Sequence, residues 1–407
     1  MTYPSTSKFY FFLAFSIAVL GTLAGDVQAQ LPSAVKVSHP ASDGIDLLKG
    51  KENYLQNVKA PYRYGDKLYF TASVPNKRGT SKVTRLFSSV HGDKPIMLPI
   101  NPKEDNIHAA HATISIGGDR IYYTVFKETT KVTEGHSEIW YRDKEYDGTW
   151  GHLVQMPKFV NLSDVINTQP SAGFDFTLKK EVVYFSSNRP GGKGGFDIWF
   201  CTVERDGSFG KPVNLPFNTA ADEVTPHYST FLQMVFFSSN MPGGYGGFDV
   251  YRSSKDAKGT WQTGENLSSV NTAFDETFFS YHQPSLTCYF CSNMPSFKCH
   301  NDPNGCAENA IYAGKLNGSL VVETRSELDS MPLYGCNIEL ENMETGTIEN
   351  TILQSENSVI DLPLEPNRKY RLIISRPYHY PVFLPLENVL CDFAHPLRKT
   401  IYLKPMR

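Results

Sequence analysis

The sequence predicts an all-β chain: a five-bladed β-propeller followed by a small β-sandwich of the transthyretin-like kind. Three observations carry this. The stretch Ser186 to Trp199 (S-S-N-R-P-G-G-K-G-G-F-D-I-W) returns fifty-two residues later, from Ser238 to Tyr251, as S-S-N-M-P-G-G-Y-G-G-F-D-V-Y. Repeats of that length mark propellers and solenoids. Aromatic pairs start at positions 69, 122, 184, 236 and 289, with spacings of 53, 62, 52 and 53. The composition, 13% aromatic with 30 Gly and 26 Pro in 407 residues, suits many short strands joined by turns. Five units are visible; a sixth blade would need a degenerate unit near the N-terminus.

Residues 1–29 read as a secretory signal. Lys8 precedes an apolar run from Phe9 to Ala24, and Val27-Gln28-Ala29 offers a small-x-small cleavage site. A transmembrane anchor is the alternative, but the run is short for a span. The first cysteine is Cys201, so lipid attachment near the cleavage site is not expected. No later segment is apolar enough to span a membrane as a helix. The net charge of −3, without a basic face or tail, gives no reason to expect nucleic acid or an anionic membrane surface.

Residues 30–316 are assigned to the propeller. Gly44 to Leu48 forms a short strand that completes the last blade, so that strands from both ends close the ring and protect its edges. Each unit then runs through a β-rich aromatic segment such as Val182-Val183-Tyr184-Phe185, a Gly-rich loop, and a second β-rich segment such as Asp197-Ile198-Trp199-Phe200. This is two antiparallel strands joined by a long hairpin loop. A turn, a short strand and the next innermost strand complete four strands per blade. Residues 317–407 change character. Cys336 to Glu341 alternates as a half-buried strand, and six or seven such strands make a sandwich of about ninety residues.

The signature Ser-Ser-Asn-x-Pro-Gly-Gly-x-Gly-Gly-x-Asp-Ile/Val resembles the TolB-type, WD40-like (PD40) propeller repeat of Bacteroidetes cell-envelope proteins, closely over residues 184–276 and partly over about 250 residues. Gly318 to Val322, Pro332-Leu333, Ile338 to Leu340 and Tyr370 to Leu372 are similar to the carboxypeptidase regulatory-like sandwich. The resemblance implies a non-enzymatic envelope scaffold, an accessory of outer-membrane or type IX secretion and gliding machinery, with an envelope or outer-membrane protein as partner. Its expected location is the periplasm, the outer membrane or the cell surface. The OmpA-type domain of many relatives does not follow before residue 407, so anchoring to peptidoglycan by that route is not expected.

Several constellations invite chemistry. The Gly-rich loops lack the helix N-terminus that a phosphate cradle needs. Asp197 and Asp249 are expected to accept hydrogen bonds from loop N–H groups, with calcium as the alternative. Asn188, Arg189, Asn240 and Met241 are candidate contact positions on the loops. Cys288, Cys291, Cys299 and Cys306 have a spacing that zinc would accept, but Cys288 and Cys291 point to opposite faces of a strand. An exported chain favours disulfides, with Cys299–Cys306 and Cys336–Cys391 as the candidate pairs.

His111, His227 and His282 are candidate channel residues. They sit at different offsets within their repeats, so polar lining is expected before a shared metal or ligand site. No catalytic motif, cofactor site or metal site is recognised, and no enzymatic activity is expected. Asp222-Glu223 and Asp275-Glu276 recur at one repeat position, which argues for a structural turn between blades. The alternative function is a carbohydrate or small-ligand binder, or a hydrolase, using the central channel.

Overall fold

The computed structural model describes residues 45–386 and 397–406, apart from 49–50, 91, 128–135, 257, 268, 286, 295–308, 316–317, 354–357 and 365–367. The signal-like segment and the Cys299–Cys306 loop lie outside the described residues.

Each sequence repeat becomes one four-stranded antiparallel sheet. After β1 (Ile45–Leu47), the first blade is β2 (Gln56–Tyr64), β3 (Lys67–Pro75), β4 (Lys82–Val90) and β5 (Ile96–Met97). The second is β6 (Ile107–Ile114), β7 (Arg120–Lys127), β8 (Ser137–Asp143) and β9 (Val154–Gln155). The third is β10 (Asn167–Asp175), β11 (Lys180–Ser187), β12 (Asp197–Val203) and β13 (Val213–Asn214). The fourth is β14 (Glu223–Ser229), β15 (Met234–Ser239), β16 (Asp249–Ser254) and β17 (Glu265–Asn266). The fifth takes β18 (Glu276–His282), β19 (Thr287–Ser292) and β20 (Ala310–Lys315) from the end of the ring. Its fourth strand is β1, paired antiparallel with β20 through Ile45 opposite Gly314 and Leu47 opposite Tyr312. Both chain ends of the propeller therefore share one sheet, and a ring closed this way leaves no frayed last blade.

The cores lie between blades. Tyr184 on β11 stacks on Tyr228 of the next blade at 4.8 Å, and Val235, Phe237 and Tyr251 complete that layer. The same logic places Phe70 and Phe87 of blade one against Tyr289, Cys291 and Ile311 of blade five. Burying each such ring contributes roughly 1.5–3 kcal/mol, so the aromatic pairs of the sequence are the adhesive between sheets.

Each inner strand bends at an equivalent non-glycine residue with left-handed backbone: Ala60, His111, Gln169, Thr225 and Phe278, with φ between 52° and 57°. The ladder to the second strand slips at each of these points, which are β-bulges. The bulge turns an N–H towards the preceding blade, where a hydroxyl receives it. His111 N–H donates to Thr71 Oγ1 and Gln169 N–H to Thr124 Oγ1, each at 3.0 Å. Thr225 N–H donates to Ser186 Oγ at 3.1 Å. Phe278 N–H donates to Thr225 Oγ1, which is itself bonded to Ser238 Oγ. At the closing junction Cys291 takes this place, hydrogen-bonded to the Ala60 backbone and to Val58 O. These acceptors are the residues directly after the aromatic pairs.

Residues 315–407 form the second compact unit. Strand β21 (Gly318–Ser326) pairs antiparallel with β24 (Val359–Leu364) and parallel with β27 (Leu397–Leu403). The other sheet has the order β23 (Thr347–Leu353), β22 (Asn337–Asn342), β25 (Tyr370–Ser375), β26 (Val382–Leu386). Their facing sides share one core, with Leu320, Val322 and Leu362 on one sheet and Ile338, Leu340 and Leu372 on the other. The alternating burial of β22 and β25 is what a sandwich strand requires.

The inter-blade lock is open to test. Thr124→Val keeps the shape but strips the acceptor from Gln169 N–H, and is expected to cost about 1–3 kcal/mol. Cys291→Ser keeps an acceptor of the same kind and is expected to cost under about 1 kcal/mol. Urea unfolding midpoints compare the two; equal losses would remove the lock from the account.

Candidate functional site

The five bulges converge on the propeller axis. One cavity there is lined by three consecutive residues from every inner strand: 60–62, 111–113, 169–171, 225–227 and 278–280. Its open volume is about 40 Å³, far below the roughly 300 Å³ at which small-molecule pockets begin. Rings close it: His111 of blade two stacks on Phe278 of blade five at 5.1 Å, and Tyr62 of blade one meets His227 of blade four at 6.3 Å. The channel that the alternative reading would use for a sugar or small ligand is filled by side chains.

His111 and His227 line this cavity; His282 does not, and its Nδ1 lies 2.7 Å from Ser285 Oγ. His227 belongs to a second ring of contacts, two residues beyond the bulge. Thr113 Oγ1 accepts Ala172 N–H, Ser171 Oγ accepts Tyr228 N–H, and His227 Nε2 accepts Tyr281 N–H at 3.1 Å. Ser280 Oγ donates to Pro61 O and Tyr62 Oη to Ile114 O, completing the circle. His227 thus stands where other blades carry Thr or Ser. Burial pushes its imidazole down to about 4 and that of His111 to about 3, so both rings are neutral at physiological pH. No Asp or Glu lines the cavity.

The glycine-rich loops are closed structures. Asp197 accepts the N–H groups of Lys193 and Gly194 and the side-chain amide of Asn214. Asp249 repeats this with Tyr245, Gly246 and Asn266. A Cβ on Gly194 would lie 1.7 Å from Ala221 O, and one on Gly246 would lie 1.8 Å from Phe274 O. Asp222 and Asp275 accept the N–H groups of Phe196 and Phe248, while Glu223 and Glu276 take Thr219 and Thr272.

Of the loop contact candidates, Arg189 is buried. Its guanidinium bonds to Val160 O, Phe159 O and Asn167 Oδ1 and lies over Phe185 and Trp199. Met241 packs into the core between blades three and four. Asn188 Oδ1 accepts Ile166 N–H, and Asn240 bonds to Asp222. Cys201, Cys288, Cys291 and Cys336 are free, buried thiols. Cys391, the partner expected for Cys336, lies outside the described residues, as do Cys299 and Cys306. Among the described residues no group of three His, Cys, Asp or Glu could hold a metal ion.

A second depression was not expected from the sequence. It lies where blades two and three meet, has a volume of about 960 Å³, and is floored by the ends of β7, β8, β11 and β12. Five carboxylates line it: Asp119, Asp143, Glu181, Glu204 and Asp206. Five cations offset them: Arg120, Lys144, Lys179, Lys180 and Arg205. Phe174 adds an apolar surface. Arg120 grips Asp143 through two nitrogens and lies 4.2 Å above the Tyr141 ring. Lys180 bonds Glu204 at 2.7 Å, and Thr202 adds a second donor; together they hold the Glu204 carboxyl below its ordinary range. Partial burial and the nearby charge of Asp119 push Glu181 the other way. The signal was legible as two charged triplets in one repeat, Lys179-Lys180-Glu181 and Glu204-Arg205-Asp206, at turns where blade four has Gln233-Met234 and Lys255-Asp256.

No family model matches the chain, and no curated protein sequence is similar to it. Among solved structures, it is similar to a GH43 β-1,3-galactosidase at 10% identity, covering 83% of this chain and 79% of that one, with a TM-score of 0.44. A GH43 endo-arabinanase from Bacillus licheniformis shares 13% identity over 70% of this chain and 99% of that one, TM-score 0.40. An exo-β-1,3-galactanase from Clostridium thermocellum shares 9% over 77% and 78%, TM-score 0.41.

These findings correct the sequence reading. The reported neighbours are sugar-active enzymes and not TolB-type repeat proteins. The envelope scaffold and the type IX association rested on that resemblance, and the expectation of no enzymatic activity also on the absence of a recognised catalytic motif; the sugar-active enzymes among the neighbours stand against all three. The physical reason lies in the signature itself. Its glycines and aspartate close a hairpin loop, so they report loop geometry and not family membership.

The buried histidines set a pH dependence. His108, stacked on Phe126, is also pushed down to about 4 by burial. All three folded values lie below the unfolded value near 6.5, so their stabilisation is complete above that pH and is lost as pH falls towards 4. Raised carboxylates at Glu223 and Glu276 act with the opposite sign and offset part of it. As pH falls from 7.5 to 5.5, unfolding is expected to bind a rising number of protons at these rings, up to about three. Urea midpoints across that window measure it; a flat profile would mean that the rings titrate as if in water.

Proposed function

We propose that this propeller recognises carbohydrate in the groove between its second and third blades. The groove's composition carries the reading. A volume of about 960 Å³ accommodates several sugar rings, and equal numbers of carboxylates and cations leave no net sign. A strongly charged ligand would prefer a groove of one sign, whereas a neutral polyhydroxyl ligand uses donors and acceptors together. Phe174 supplies an apolar surface for a ring face. The closed axis leaves the central channel out of this role. A polysaccharide outside the cytoplasm suits the export that residues 1–29 imply.

A second reading, cleavage of the bound sugar, is favoured by one observation. Glu181 is displaced towards protonation and Glu204 towards ionisation within one groove. Glycosidic cleavage uses one carboxyl group as acid and another as base or nucleophile; in this reading Glu181 takes the acid role and Glu204 the ionised one.

Titration calorimetry with neutral oligosaccharides tests the first reading. The double variant Lys179→Ala with Arg205→Ala, both exposed, is expected to weaken binding by about tenfold, roughly 1.4 kcal/mol, without changing thermal stability. No heat from any neutral oligosaccharide at millimolar concentration would end it. Reducing-end release tests the second: activity lost in Glu181→Gln with binding kept supports it, and no release by the wild type removes it.

A further inference from the structure

We propose that the axial cavity is a site for a single small anion of the halide class, held by neutral N–H donors. The argument starts from what the rings of inter-blade hydrogen bonds leave unused. Gln169 is buried, and its Oε1 accepts Thr225 N–H at 2.9 Å, which fixes the amide orientation. Among the described residues its Nε2 meets no hydrogen-bond partner, and Gln169 lines the cavity. His227 is buried with Nε2 accepting from Tyr281, so its proton resides on Nδ1, which also meets no partner among the described residues. His111 Nδ1 lies 3.2–3.3 Å from the hydroxyls of Thr168 and Thr124. When those hydroxyls donate to it, Nε2–H becomes a third donor.

Acceptors are scarce around the same space. The hydroxyls of Thr113 and Ser171 already accept backbone N–H groups, and Ser280 donates to Pro61 O. The remaining lining is alanine, proline, aromatic ring and Thr225, whose hydroxyl already accepts Phe278 N–H, and it contains no carboxylate. The charge that reaches His111 is the positive one of Lys59, which lowers its basicity. A buried water seeks both donors and acceptors among its two to four partners, whereas an anion is satisfied by donors alone. Buried donors without partners are costly, so an acceptor that fits removes a penalty at three strands together. The volume of about 40 Å³ admits a monatomic anion but not sulfate with its hydration or an organic acid.

Thermal unfolding in sodium chloride, bromide, gluconate and sulfate at constant ionic strength tests this on the whole chain. Chloride and bromide are expected to raise Tm saturably, by roughly 2–5 °C up to 0.2 M, and gluconate not at all. Gln169→Glu retains an oxygen for Thr225 N–H but turns the donor into a charged acceptor, and is expected to abolish the halide response. A crystal grown in bromide should show one anomalous peak on the axis. If halides and gluconate act alike, or if the crystal shows water alone on the axis, the proposal is overturned. Should Gln169→Glu fail to fold, the wild-type salt series and the bromide peak still decide.

Discussion

The propeller depends on one hydrogen bond made five times: the N–H at each left-handed bulge, caught by the residue after the aromatic pair of the neighbouring blade. A non-glycine residue at φ near +55° costs of order 1–3 kcal/mol, and each of the five inner strands carries one at this bulge. That cost is tolerable only where the structure gains something local sterics do not provide. Here the bulge swings a backbone donor out of its own ladder and into the next sheet. Four junctions end on a hydroxyl, from Thr71, Thr124, Ser186 and, through Thr225, Ser238; the closing one ends on the Cys291 thiol. Each blade is thereby registered against the last, and the β1–β20 pairing seals a ring whose blades are already aligned.

The same bond explains why the axis is closed. The bulge residue and the one two places on both line the axial cavity, so ten side chains from five strands meet there. In a five-bladed ring they leave little room, and His111 against Phe278 and Tyr62 against His227 use most of it. Two histidines on the axis suggest chemistry when read alone. Within the ring, His227 occupies the place held by Thr113 and Ser171, and makes the bond they make.

Much of this was legible from the aromatic pairs. Their spacing located every second strand, but the small residue after each pair was not legible as a lock, because one Thr, Ser or Cys in a strand has no mark of its own. The closing strand near Ile45 followed from the need to protect an edge. The bulges were harder to see, because a left-handed Ala, His, Gln, Thr or Phe has no compositional mark; the proline after Ala60, Gln169 and Thr225 is the nearest thing to one. Arg189 misled for a related reason. An arginine in a glycine-rich loop reads as exposed, yet its equivalents Met241 and Met294 show that the position is apolar in other repeats. Carbonyl oxygens and two rings replace the water it gave up, without any carboxylate.

Repetition separates architecture from function in this chain. Asp197 and Asp249 and the paired Asp-Glu steps each occur twice, and a lock acceptor stands at every junction, because they serve the architecture. A binding site is needed once. The groove between blades two and three is built from charged residues that blade four does not reproduce at the same turns: Lys179, Lys180 and Glu181 against Gln233 and Met234. Ten charged side chains line this one junction, and pairs such as Lys180–Glu204 at the surface contribute little to stability. With stability a weak reason to keep them, recognition is the stronger one. The position of the groove fits: it lies on the face opposite the glycine-rich loops, where turns are short and can vary without disturbing the lock that holds the ring.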